Sequence, residues 1–235
     1  MAFSMKKPSH VFSLLFLLII FLILYVPPLL IKPSKVERIV ASEDLLIMNT
    51  LLTTFLLLLP VILWLHFVDN MKMREMVRYL RLNREGFSMA FAYGILCFLF
   101  IFFLHIVTIL VLQSLHINVK NPVAQKLAMS LSPISMIFIS VIQSTGEEVF
   151  FRGFLLRKIQ EKLSGLAAIL ITAILFGLAH LSYGTWYQVL MPTFIGLVFG
   201  YIVIKTNNLY SSITSHITLN LVMFLIAYAL KSLIL

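Results

Sequence analysis

Of the nine carboxylates in the 235 residues, two stand within apolar sequence. They are Glu147 and Glu148, in the run Gln143-Ser144-Thr145-Gly146-Glu147-Glu148-Val149-Phe150-Phe151-Arg152. Glu37, Glu43 and Asp44 fall in a first loop, Asp69, Glu75 and Glu85 in a second, and Glu161 in another. A charged side chain at membrane depth is costly unless paired or hydrated, and it marks function by default. Glu148 and Arg152 are four residues apart with the glutamate first, the favoured order for an ion pair on a helix, so a structural role accounts for both. Glu147 lies about 100° further round the same helix. The pairing leaves it unexplained.

Four histidines fall in or near apolar stretches. His180 ends Phe176-Gly177-Leu178-Ala179-His180, and His216 opens His216-Ile217-Thr218-Leu219-Asn220. His216 and Asn220, four apart, share one helix face. Together they present donors of the kind that stabilise a developing oxyanion, although the same pair would also serve as interhelical glue. His66 has Asp69 and Asn70 within a turn at a span end, and His105 has Thr108 alone nearby; both read as structural. A turn near Ser164-Gly165 sets Glu147 and His180 at matching distances on either side, level with each other in a helical hairpin. Arg157 follows Glu147 by ten residues, about 15 Å at the helical rise. If Arg157 marks the edge of a core of about 30 Å, Glu147 sits near mid-membrane. A carboxylate there suits general-base work. Glu147, His180 and His216 also form a conceivable open three-ligand zinc site. The oxyanion chemistry needs no metal, and the expectation is that no cofactor is used.

The elements that must position these residues follow from composition. The chain is 61% hydrophobic and only 11% charged, with a mean hydropathy of +1.04. One soluble core cannot bury that excess. A secreted disulfide scaffold, a disordered chain and an ordinary cytosolic enzyme are excluded, and the single Cys97 allows no disulfide framework. The net charge of +9 fits basic loops against anionic lipid rather than nucleic acid. About seven stretches are long enough to cross a bilayer: 11–31, 45–68, 87–113, 129–156, 165–182, 186–204 and 211–233. The expected fold is an all-α, polytopic transmembrane helix bundle. The first stretch reads as a retained anchor rather than a cleaved signal, because it is long and ends in Pro27-Pro28.

With the N-terminus inside, the cytoplasmic segments hold Lys6, Lys7, Lys72, Arg74, Arg78, Arg81, Arg84, Arg157, Lys158, Lys162 and Lys205. The outer ones hold Lys32, Lys35, Arg38, Lys120, Lys126 and Lys231. That bias favours a cytoplasmic N-terminus in a multi-pass protein of the cell membrane. Most glycines fall after residue 145, among them Gly196 and Gly200, a GxxxG that lets helix backbones approach closely. The division expected is a collar of three spans, 1–126, around a functional core of four, 127–235.

The three ordered motifs resemble those of the CAAX-protease and bacteriocin-processing family of intramembrane proteases, relatives of the Ras-converting CAAX endopeptidase. They are EExxxR (Glu147, Glu148, Arg152), FxxxH (Phe176, His180) and HxxxN (His216, Asn220). The resemblance covers Glu147 to Asn220 and says little about residues 1–126. It implies that Glu147 activates water with help from His180 and that His216 and Asn220 stabilise the oxyanion. It implies that Glu148 and Arg152 support the motif helix and that Phe176 packs. The implied partners are the lipid bilayer and a membrane-associated peptide or protein substrate, with no nucleic acid. There is no HExxH, no GxSxG and no membrane-embedded aspartate for another protease chemistry. The alternatives are a proton-coupled transporter, since a buried glutamate with two histidines also suits a proton relay, and a non-catalytic immunity or scaffold protein.

Overall fold

The computed structural model describes residues 42–117, 130–181 and 185–234, with Ile19 and Leu22 as isolated positions. The expected span 11–31, apart from those two positions, lies outside the described residues, as do Lys120, Lys126 and Gly184. The described chain is all-α, with no strand. In order it runs α1 (Glu43–Leu63), a π-helical segment (Trp64–Val68), α2 (Met73–Tyr79), α3 (Phe87–Ser114) and α4 (Pro133–Glu148). A second π segment (Val149–Leu155) leads into α5 (Leu156–Gln160), α6 (Gly165–Leu178), α7 (Tyr187–Thr206) and α8 (Tyr210–Ile234). Among the described residues, five stretches are long and apolar enough to cross a bilayer: Glu43–Val68, Phe87–Ser114, Pro133–Gln160, Tyr187–Thr206 and Tyr210–Leu230. The protein is a membrane helix bundle.

Local chemistry sets the helix starts. Ser42, Ser132 and Ser164 each accept a backbone N–H from three residues on, which satisfies one of the orphan donors of a first turn. Pro133 occupies the first helical position of α4, where its missing N–H costs nothing. Glu43 and Asp44, expected in a loop, form the first turn of α1 instead, where carboxylates favour the helix dipole. Glu43 also accepts the backbone N–H of Ser132 at 3.0 Å, tying α1 to the start of α4.

Two departures from a regular bundle matter for the site. The span expected as one continuous helix contains the seven-residue π segment directly after Glu148. α6 has 14 residues rather than the eighteen expected at 165–182, so at about 1.5 Å per residue it runs about 21 Å and stops short of a 30 Å core. It ends because the His180 backbone N–H turns back to Gly177. The Phe176 carbonyl left behind is taken by the His180 ring, with Nδ1 2.8 Å away.

The segment with the intramembrane charges is the most enclosed. Its most apolar window is 61% buried, against 22% for Glu43–Val68 and 17% for Phe87–Ser114. α4 packs on α1 and α8, α8 packs on α3, and α6 packs on α7. The α6–α7 contact is close, as Gly196 and Gly200 led one to expect. A Cβ at Gly196 would stand 2.9 Å from the Ala173 Cα, and one at Gly177 would collide with Thr193.

The connections rich in lysine and arginine meet at one end of the bundle. Arg157 donates to the carbonyls of Arg78 and Tyr79 and lies over the Tyr79 ring. Tyr79 donates to Glu161 at 2.6 Å. Burial and the Glu161 carboxylate raise the pKa of its hydroxyl, which stays a donor. Lys158 pairs with Asp69 at 2.8 Å, Arg81 donates to Gln160 at 2.9 Å, and the Leu209 N–H reaches the Arg81 carbonyl.

Candidate active site

Three separate elements deliver the polar groups to one place. α4 ends in Glu147 and Glu148, which are 8% and 0% exposed, and the π segment carries Arg152, also 0% exposed. Glu148 accepts from Arg152 Nη1 at 2.9 Å, the ion pair expected from their spacing. The guanidinium lies 4.1 Å from the Phe176 ring centroid and 5.4 Å from that of Phe199. Pairing with a carboxylate and stacking on aromatic faces are what allow a charge to be held this deep. Gly196 makes room for it, since a Cβ there would approach Arg152 Nη2 to 3.2 Å.

His216, 5% exposed on α8, joins the two neighbouring carboxylates. Its Nδ1 is 2.9 Å from Glu148 Oε1, and its Nε2 is 3.9 Å from Glu147 Oε2. Glu148 accepts only, so Nδ1 carries the proton and Nε2 is the nitrogen turned toward Glu147. The sequence alone does not reveal this link. Glu148 and His216 are 68 residues apart, and an i,i+4 pairing with Arg152 already explained the glutamate. Glu148 therefore does more than support its own helix: it fixes the orientation of a ring on another. Glu147 also accepts from Gln143 Nε2 at 3.0 Å, one turn earlier on the same face.

Asn220 lies one turn beyond His216 on α8 and donates to Ser144 Oγ of α4 at 3.0 Å. One amide hydrogen is thereby used and the second is left over. His180 reaches the site through Phe176, whose ring centroid is 4.8 Å from that of His180 and 5.9 Å from that of His216. Expected as packing, Phe176 is the body against which both histidines and Arg152 rest. With Nδ1 of His180 on the Phe176 carbonyl, Nε2 is the ring nitrogen that this bond does not use, and the charge of Glu147 acts on the ring. Glu147, Glu148, Arg152, His180, His216 and Asn220 thus gather in one region, on the inner faces of the bundle.

The other predicted candidates part from this group. His66 turns its Nδ1 to the Met71 carbonyl at 3.4 Å. His105 has a stronger partner than Thr108, because the Tyr187 hydroxyl stands 2.9 Å from its Nδ1. That contact is 82 residues apart in sequence, and no local spacing announces it. Cys97 is buried and forms no disulfide. Among the described residues, no group of three His, Cys, Asp or Glu is arranged to hold a metal ion, the set Glu147, His180 and His216 included. A cavity of ≈ 330 Å³ lined by Asn83, Tyr93, Lys205 and Asn208 lies at the basic end, away from these groups.

The arrangement offers a carboxylate beside an oriented imidazole, with an amide donor one turn away. Comparison with known proteins places this region. Residues 129–222 match the family model described as Rce1-like, type II CAAX prenyl endopeptidase. No curated protein and no solved structure matches the chain. The matched stretch contains every residue of the cluster, from Gln143 to Asn220. Residues 129–222, less than half of the chain, are thus similar to the Rce1-like type II CAAX prenyl endopeptidases.

Proposed function

We propose that the protein is an intramembrane endopeptidase that hydrolyses a peptide bond of a membrane-associated protein or peptide, without a resident cofactor. The observation that carries this reading is His216 held between two carboxylates, with Asn220 one turn further along the same helix. Glu147 takes a proton from a water as the water oxygen bonds to the scissile carbonyl carbon. His180 Nε2 accepts a hydrogen bond from that water and orients it. Negative charge grows on the carbonyl oxygen. The spare amide hydrogen of Asn220 and His216 Nε2, when that ring is doubly protonated, donate to it. Collapse of the tetrahedral adduct breaks the C–N bond, and Glu147 passes its proton to the departing nitrogen. The products are a free carboxylate and a free amine.

In this reading Glu148 and Arg152 are positioning residues. Glu148 holds Nδ1 of His216, and Arg152 balances the Glu148 charge. Residues 127–235 form the catalytic core, with 1–126 as a collar. The chain resides in the cell membrane with its N-terminus on the cytoplasmic side, as the lysine and arginine bias supports. The test compares membrane peptides from cells carrying the native chain with those from cells carrying Glu147→Ala. Peptides cut only in the presence of the native chain support the reading. Identical peptide sets at equal protein levels contradict it.

A further inference from the structure

The polar contacts between α4 and α8 repeat. Glu148 on α4 meets His216 on α8 at 2.9 Å. Ser144, one turn earlier on α4, meets Asn220, one turn later on α8, at 3.0 Å. The two contacts are rungs between antiparallel helices, about 6 Å apart at four residues of helical rise. Both α4 members are 0% exposed. Ser144 Oγ accepts from Asn220 as Glu148 accepts from His216. Gly146 fixes α4 from behind. It faces α1, and a Cβ there would stand 2.8 Å from Thr54 Cγ2, so α4 has no slack to draw back from α8. A second hold starts at the neighbouring residue. Gln143 Nε2 donates to Glu147 Oε1 at 3.0 Å, one turn along α4. An ionised carboxylate accepts only, so the Gln143 amide must turn its NH2 group to Glu147. Oε1 is thereby engaged, and Oε2 is the oxygen 3.9 Å from His216 Nε2. Neither Gln143 nor Ser144 lies in the three motifs.

We propose that Gln143 and Ser144 are positioning residues of the hydrolytic site: Gln143 sets which oxygen of Glu147 reacts, and Ser144 sets which amide hydrogen of Asn220 is free. This rests on the hydrolytic reading, which assigns Glu147 and Asn220 but not what holds them. With Oε1 on Gln143, Oε2 takes the proton from water as the water oxygen bonds to the carbonyl carbon, and later passes it to the departing nitrogen. With one Asn220 hydrogen on Ser144, the other is presented to the carbonyl oxygen as its charge grows. One turn of α4 thus sets the spacing between a base and an oxyanion donor that come from different helices, which is how positioning lowers a barrier. If Ser144 and Asn220 merely glue two helices together, the loss of Ser144 does not depend on Asn220.

The test uses the purified full chain in bilayers. The probe is a synthetic peptide spanning a cut site found by comparing native and Glu147→Ala cells. Ser144→Ala is expected to lower kcat about 10–10²-fold with KM unchanged. In an Asn220→Ala background the same change is expected to cost nothing more, because Ser144 acts through Asn220. Gln143→Glu keeps the length and packing of the side chain but removes the donor, and is expected to lower kcat about tenfold or more at normal yield. Gln143→Met, which also lacks the donor, decides the point if that variant does not fold, and Ser144→Cys replaces Ser144→Ala on the same ground. An undiminished Ser144→Ala loss in the Asn220→Ala background overturns the proposal, and so does native kcat in Gln143→Glu or Ser144→Ala. Glu147→Gln separates the claims. If it abolishes cleavage while the Gln143 and Ser144 variants turn over normally, the protease stands and the positioning roles fall. If it cleaves like the native chain, the hydrolytic reading falls and takes these roles with it.

Discussion

Below Glu147, toward the basic end, two charges and an imidazole are locked together and shut away from solvent. Above it, Gln143, His180 and Asn220 keep part of their surfaces open. The lower region uses ion-pair and cation–π contacts to hold Glu148 and Arg152 where water does not reach. In the upper region Asn220 uses one amide hydrogen on Ser144 and keeps the second, which the proposed hydrolysis would use on the carbonyl oxygen. A buried ion pair contributes little net stability, yet breaking one is expensive, because the surviving partner is left charged and dry. The two adjacent glutamates therefore stand in opposite surroundings: Glu148 is sealed in an ion pair, while Glu147 borders the half-buried Gln143.

Breaking the sealed side is expected to have the broadest effect. Arg152→Ala or Glu148→Ala should cost about 3–5 kcal/mol of stability by leaving one buried charge unpaired. Yield and thermal stability in detergent would drop along with cleavage. Normal stability in both variants would remove the holding role of this pair. Among the half-buried groups, Asn220→Ala removes the bond to Ser144, a stability loss of about 1 kcal/mol, and should lower kcat about 10²–10³-fold, as removal of one oxyanion donor does; purified protein with a fixed peptide substrate measures it. Away from both sides, Tyr187→Phe removes only its bond to His105. It should shift stability by about 1 kcal/mol without changing cleavage, and a large loss of activity would mean that His105 belongs to the site. The smallest expected effect is none: prolonged chelation should leave cleavage intact. Loss on chelation with rescue by Zn²⁺ would restore the three-ligand alternative.

Residues that announce themselves by depth or by period were legible in the sequence. Glu147 and Glu148 stood out because charge within apolar sequence is costly. The Glu148–Arg152 pair and the shared face of His216 and Asn220 followed from helical spacing. The turn near Ser164-Gly165 lay between two apolar stretches, and the close approach at Gly196 followed from residue size. What stayed hidden depends on tertiary contacts or on unusual helical geometry. The Glu148–His216 and Tyr187–His105 contacts join residues far apart in sequence. The π segment after Glu148 and the early end of α6 break a periodicity that the sequence itself continues. His180 illustrates both cases: its apolar context flagged it, but not that its ring caps the carbonyl which the ending helix abandons.

Glu147→Gln in purified, bilayer-embedded protein tests the central claim most directly. The amide keeps the size of the side chain and can still hydrogen-bond Gln143, but it cannot take a proton from water. Cleavage is predicted to drop roughly 10²–10⁴-fold, with unchanged folded yield and unchanged response to Arg152→Ala. Full turnover by the Glu147→Gln variant would show that the proton goes elsewhere, and the assignment of Glu147 as the base would be wrong.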